Sequence, residues 1–256
     1  NVGTTATAWL VSISGIGALK ITAYALPAVG TGFLMTMSGR SRRMRNLGQI
    51  LLGFGLLFVG IGFMKDAFEP LEHSQRVQQL FVSLGDRPLL AILAGAGVTM
   101  LIQSSSAAIA IVQLLAVGGA FGNDWSVALN VAIPFVLGSN IGTTITAQLA
   151  AIQANVSARR AAWAHTVFNV AGVVLGYPLI YWGWFGAFIA AICPWTLGPA
   201  TIAMSIAVAH TVFKLADAIV WLPLTGVLER VVVRLVRERP GDAAMRPIIL
   251  EKHLLD

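Results

Sequence analysis

Between Arg87 and Asp124, between Asp124 and Arg159, and between Arg160 and Lys214 the chain carries not one Asp, Glu, Lys or Arg. A helix that crosses a bilayer needs about 20 such residues in succession, so the runs impose a membrane as the solvent. Composition agrees: 57% of residues are hydrophobic and 11% charged, against about 25% charged in a soluble domain. Mean hydropathy is +0.79. The expected class is an all-α polytopic membrane protein. A single cysteine, Cys193, rules out a disulfide framework within the chain. The net charge of +6 is read as a mark of orientation, with no nucleic-acid partner expected.

Apolar segments fall at 2–19, 21–38, 47–64, 88–122, 125–153, 161–191 and 197–226. Three basic patches punctuate them: "GRSRRMR" at 39–45, the pair Arg159 and Arg160, and Arg230, Arg234, Arg237 and Arg239. The positive-inside rule places all three, and the C-terminus with them, in the cytoplasm of a cell inner membrane. The mixed-charge connection 65–87 then falls outside. If 47–64 runs outward and 125–153 ends inside, 88–122 must begin and end on one side. Two full crossings would need about 40 residues, so a re-entrant helical hairpin is expected. Its tip is the polar run Gln103, Ser104, Ser105, Ser106 at the centre of the segment. Irregular backbone at membrane depth is tolerated only where it is buried in protein or lines a cavity, so the tip is expected to line a site.

The chain also repeats itself. "NVGTTATAWLVSI" (1–13) and "GSNIGTTITAQLAAI" (138–152) share N-[IV]-G-T-T-x-T-A, matching Asn1, Gly3, Thr4, Thr5 and Thr7 to Asn140, Gly142, Thr143, Thr144 and Thr146. In the expected topology the two copies cross in opposite senses, the pattern of an inverted-repeat transporter with its site near the midplane. A second echo pairs "AHTVFNVAGVVLGYP" (164–178) with "AHTVFKLADAIVWLP" (209–223). By this logic a first copy of the serine hairpin is expected upstream of Asn1, and the chain is read as a fragment. Residues 1–38 are a remnant of the first repeat. Then 39–87 form the basic loop, a connecting span and the external segment, 88–228 the second repeat, and 229–256 a cytoplasmic tail.

Taken together, "QSSS", "GSNIGTT", "HTVFN" and the upstream "NVGTT" resemble the type II sodium/phosphate cotransporter family and its bacterial members, over Asn1 to about Leu228. The resemblance implies sodium-coupled transport of inorganic phosphate and no enzymatic activity. It places phosphate on Gln103, Ser104, Ser105 and Ser106. It gives sodium the oxygens of Gln103, Ser104, Ser139, Asn140, Thr143 and Thr144, with Asn1, Thr4 and Thr5 from the first half. Sodium is the co-transported ion and no other cofactor is implied. The tail resembles a linker to a cytoplasmic PhoU-like domain, and a homodimer is a further possible partner.

Plainer readings accompany these. Ser and Thr clusters also serve as interhelical glue, and the glycines of "GQILLGFGLLFVGIG" (48–62) are expected to pack helices closely. His165 and His210 are expected to hydrogen-bond between helices. Lys214 and Asp217, three residues apart, are expected to neutralise each other on one helix face. Trp182, Trp184, Trp195 and Trp221 are read as interfacial anchors. Rival functions are a proton-coupled or passive anion transporter or exporter and, less favoured, a serine hydrolase with no nucleophile-elbow motif.

Overall fold

The computed structural model describes residues 2–14, 24–72, 75–76, 79, 83–84, 87–122 and 124–238. Asn1, much of the 65–87 connection's side-chain detail and the tail beyond 238 lie outside the described residues. In a medium without water every backbone N–H and C=O must be satisfied within the chain, which favours helices. Among the described residues there are only helices: α1 (Thr5–Ser14), α2 (Ala25–Ser38), α3 (Arg42–Glu72), α4 (Pro88–Ile102), α5 (Ser105–Val117), α6 (Trp125–Gly142), α7 (Thr144–Ala151), α8 (Val156–Tyr181), α9 (Trp184–Ile192), α10 (Ile202–Trp221) and α11 (Thr225–Leu235), with a short 3-10 turn at Val2–Thr4 ahead of them.

Among the described residues four stretches are long and apolar enough to cross a membrane: Arg42–Met64, Trp125–Ala151, Val156–Tyr181 and Ile202–Trp221. The span formed by α6 and α7 is 78% buried, against 22% for those of α3 and α8. It is therefore the axis of the molecule, and every residue from Val131 to Asn140 is buried. The outer spans expose large apolar side chains such as Ile50, Phe63, Val174 and Leu175, as lipid-facing surfaces do.

Pro88 sits in the first turn of α4, where its missing N–H costs nothing. Helices α4 and α5 then form the expected hairpin, with arms of 15 and 13 residues. Both are shorter than a span. Gly95 and Val98 on one arm face Ala108, Ile111 and Val112 on the other across an apolar cavity of about 70 Å³, closed by Phe135, Val136 and Ser139 of α6. Glycine lets α4 and α6 touch backbone to backbone. A Cβ on Gly95 would strike the Phe135 carbonyl, one on Gly138 the Ile92 carbonyl, and one on Gly142 the Ala96 carbonyl and Thr99. Small residues at such crossings are the usual means of close helix approach in lipid.

The glycine expectation for α3 holds in part. Gly48 and Gly55 lie against Thr36, Ala25 and Val29 of α2, and Gly32 of α2 against Leu52. Gly53, Gly60 and Gly62 have nothing within 4 Å. The apolar segment 161–191 is not one element. Trp182 and Gly183 (φ +71°) turn the chain after α8, and α9 folds back against α6, α8 and α10. The segment 21–38 is described only from Tyr24, and α2 has 14 residues.

The second echo becomes a contact. Lys214 Nζ donates to Asn169 Oδ1 at 2.9 Å, and a Cβ on Gly172 would strike the Asp217 carboxylate; these are matched positions of the two AHTVF segments. The flanking contacts exchange in kind, since Phe168 stacks near Trp221 with centroids 6.1 Å apart while Phe213 lies over Gly176. Helices α8 and α10 therefore meet antiparallel about a local pseudo-two-fold axis. The first motif obeys the same relation. Gln148 Nε2 donates to Thr166 Oγ1 at 2.7 Å, and its counterpart Trp9 Nε1 donates to Thr211 Oγ1 at 3.0 Å. Helices α7 with α8 and α1 with α10 are thus two copies of one unit.

Candidate functional site

The hairpin turns within two residues. Gln103 takes a left-handed backbone (φ 58°), unusual for a residue with a Cβ, and its N–H closes on the Thr99 carbonyl at 2.7 Å. Ser104 is extended and caps α5, its Oγ accepting from the Ala107 N–H at 3.2 Å. Ser105 and Ser106 occupy the first turn of α5, where backbone N–H groups lack intrahelical acceptors and the helix dipole is positive. Gln103 is exposed and the three serines are partly buried. Ser106 Oγ donates to Thr7 Oγ1 of α1 at 3.3 Å, so the tip touches the helix that carries the first motif copy.

The second motif copy lies at the junction of α6 and α7. Ser139 Oγ donates to the Val136 carbonyl at 2.7 Å, Thr143 Oγ1 to Ser139 at 2.9 Å and Thr144 Oγ1 to Ile141 at 2.8 Å. In the first copy Thr5 Oγ1 donates to Val2 at 2.8 Å, the equivalent of the Thr144 bond. Each hydroxyl hydrogen is spent on its own helix, which leaves the oxygen lone pairs as acceptors, the groups a hard cation takes. Ser139, Asn140 and Thr144 are buried. Asn140 Oδ1 lies 3.2 Å from His210 Nε2, the interhelical bond expected of that histidine. Thr4 is exposed, and Asn1 lies outside the described residues. The packing of Gly142 on Thr99, whose carbonyl receives Gln103, sets this junction one turn below the tip. No hydrogen bond among the described residues joins the tip serines to Asn140, Thr143 or Thr144.

Reasoning from sequence missed a polar knot. Gln113 Nε2 lies 3.0 Å from the Ala8 carbonyl, 3.0 Å from Ser12 Oγ and 2.8 Å from the Ala203 carbonyl. Ser12 Oγ lies 2.7 Å from the Ala8 carbonyl and 2.9 Å from that of Ala203. Helices α1, α5 and α10 are pinned there at complete burial. The signal was present: Gln113 is the one amide inside the apolar run 107–117, and a buried amide must find partners.

Lys214 and Asp217 attract each other as their spacing predicts, but the ammonium's hydrogen bond goes to a third residue. Lys214 bonds Asn169 across the helix pair, and buried Asp217 keeps Oδ2 without a hydrogen-bond partner. Spacing along one helix put the two on one face, but the cross-helix amide offers the ammonium a better-placed oxygen. A cavity of about 190 Å³ between α8 and α10, walled by Gly172, Gly176, Phe185, Phe213 and Asp217, contains none of the expected site residues. Trp182 and Trp184 are exposed, as anchors should be, whereas Trp195 Nε1 is bonded inward to Ser205 Oγ at 3.0 Å.

The Na+/Pi-cotransporter family model matches residues 1–66 and 67–228. The Bacillus subtilis (strain 168) protein YqeW is 32% identical over 236 residues, 92% of this chain and 70% of that protein. YjbB of Escherichia coli (strain K12), whose name provisionally assigns it inorganic phosphate export, is 26% identical over 228 residues, 88% of this chain and 39% of its own length. The Homo sapiens sodium-dependent phosphate transport protein 2C is 46% identical over 93 residues, 34% of this chain and 14% of that protein. No solved structure gives a significant match.

Proposed function

Because the chain belongs to the Na+/Pi-cotransporter family, we propose that it forms part of a sodium-coupled carrier of inorganic phosphate, with the anion bound at the hairpin tip. The observation that carries this reading is the contact of Ser106 with Thr7, which brings the hairpin of one half against the motif helix of the other. A phosphate there would accept from the free N–H groups at the start of α5, the Ser105 hydroxyl, the Gln103 amide and, on exchange of its bond to Thr7, the Ser106 hydroxyl. The tip stands in a stretch without fixed charge from Pro88 to Asn123. An unpaired anion at such depth is costly. Sodium on the oxygens of Gln103, Ser104, Ser139, Asn140, Thr143 and Thr144, with Thr4, Thr5 and Asn1 of the other half, offsets that cost. Coupling follows from the same electrostatics, because each ion lowers the desolvation penalty of the other. The chain lies in a cytoplasmic membrane with its three basic patches and its C-terminus inside.

The relative named for phosphate export favours a second reading of direction, in which the same site loads from the cytoplasm. The ion gradients decide between the two. Proteoliposomes of the full-length protein test the proposal. Labelled phosphate uptake should require an inward sodium gradient and fall to background when potassium or a proton gradient replaces it. Equal uptake in potassium would overturn sodium coupling, and absence of phosphate movement in either direction would overturn the substrate.

A further inference from the structure

The strongest unassigned feature is the contact between His210 and Asn140. Their side chains are 1% and 3% exposed, and the Nε2 to Oδ1 distance is 3.2 Å. The other polar atom of each group, His210 Nδ1 and Asn140 Nδ2, is buried without a hydrogen-bond partner. Two buried orphans at the two ends of one hydrogen bond are unusual in a folded protein. Their position is equally specific. Asn140 belongs to the motif at the α6–α7 junction. His210 belongs to the opposite unit, where the next residue, Thr211, is held by Trp9 of the first motif helix. The histidine is where the unit of α1 and α10 grips the motif asparagine at the head of the other unit.

We infer that His210 is a positioning residue for the cation site, fixing which end of the Asn140 amide turns away from the ring. This rests on the assignment of sodium to Asn140. Neutral imidazole carries one N–H and one lone pair. With the proton on Nε2, the ring holds the Asn140 oxygen and the amide turns its NH2 away, an arrangement that repels a cation. With the proton on Nδ1, Nε2 accepts from the amide NH2 and the carbonyl oxygen is released to a cation. Both arrangements hold the amide through Nε2 and differ in which end of it faces the ring, so arriving sodium selects the second. Asn140 Nδ2, without a partner in the first arrangement, becomes the donor in the second, while His210 Nδ1 takes up the ring proton. The geometry thus gives the site a bistable amide, and its partner decides how readily sodium is admitted.

The test is sodium titration of thermal stability without phosphate, together with sodium-dependent phosphate uptake, for the full-length protein and its His210→Gln, His210→Asn and Asn140→Ala variants. A glutamine amide reaches the place of Nε2 and can both donate and accept there; an asparagine amide reaches only the place of Nδ1. His210→Asn should raise the half-saturating sodium concentration at least tenfold in both measurements. His210→Gln should stay within about threefold of the parent, and the phosphate KM at saturating sodium should be unmoved in both. A sodium affinity unchanged in His210→Asn, with Asn140→Ala impaired, would overturn the positioning role. Equal losses in the Gln and Asn variants would show a merely structural histidine and overturn it too. Unchanged sodium affinity in Asn140→Ala would instead sink the sodium assignment beneath it.

Discussion

Replacing Ser105 by alanine is expected to raise the phosphate concentration for half-maximal uptake about ten- to a hundredfold while leaving the fold intact. Ser105 is the serine of the tip that the scaffold does not use. Ser104 caps α5 through Ala107, and Ser106 bonds Thr7, whereas the Ser105 hydroxyl makes no hydrogen bond to another described residue. A hydrogen bond to a charged partner contributes about 1.5–3 kcal/mol, and about 1.4 kcal/mol is a factor of ten in affinity. Ser104→Ala would mix two effects, because loss of a cap alone costs about 1 kcal/mol. Uptake kinetics beside a melting curve check the prediction: an unchanged KM, or a lowered melting temperature that accounts for the loss, would contradict it.

Gly138→Leu is expected to prevent stable folding. The atom that a Cβ would meet is the backbone carbonyl of Ile92, with the Ala96 amide beside it, and neither can swing aside as a side chain would. Helices α4 and α6 would have to part, opening the hairpin's seat on the most buried span. The expected cost is about 4 kcal/mol or more, the range reserved for disrupted cores. Gly53→Ala and Gly60→Ala on α3 are the controls, since nothing lies within 4 Å of either Cβ position. Fluorescence-detected size-exclusion after heating should show the first variant aggregated and both controls like the parent. A monodisperse Gly138→Leu protein with the parent's melting temperature would contradict the packing described.

Much of this was legible in the chain because the bilayer imposes simple rules. Charge-free length locates the spans, and parity of crossings requires a hairpin at 88–122. The centre of that run placed the tip at Gln103–Ser106, where the chain reverses between Ile102 and Ser105. What stayed hidden depends on which faces meet. Lys214 and Asp217 look like partners along one helix, and only the approach of α8 shows that Asn169 receives the ammonium. A lone amide in an apolar run marks Gln113 as needing partners, but no local pattern says that α1 and α10 supply them. The break after Tyr181 was lost because Trp182 and Gly183 are as apolar or small as their neighbours, although glycine's tolerance of positive φ makes the turn there. The motif repeat was visible, but its physical meaning, that Trp9 and Gln148 perform the same task against matched threonines, required the structure.

The most direct test of the central claim, a phosphate site at the hairpin tip coupled to sodium, is protection of Ser105→Cys from a thiol reagent. The chain's single cysteine, Cys193, is first replaced by serine, together with any cysteine elsewhere in the full-length protein. Phosphate with sodium should slow labelling of Cys at this position strongly, while phosphate with potassium, or sulfate with sodium, should not. Labelling at the same rate in all conditions, in a protein that still carries phosphate, would place the substrate elsewhere.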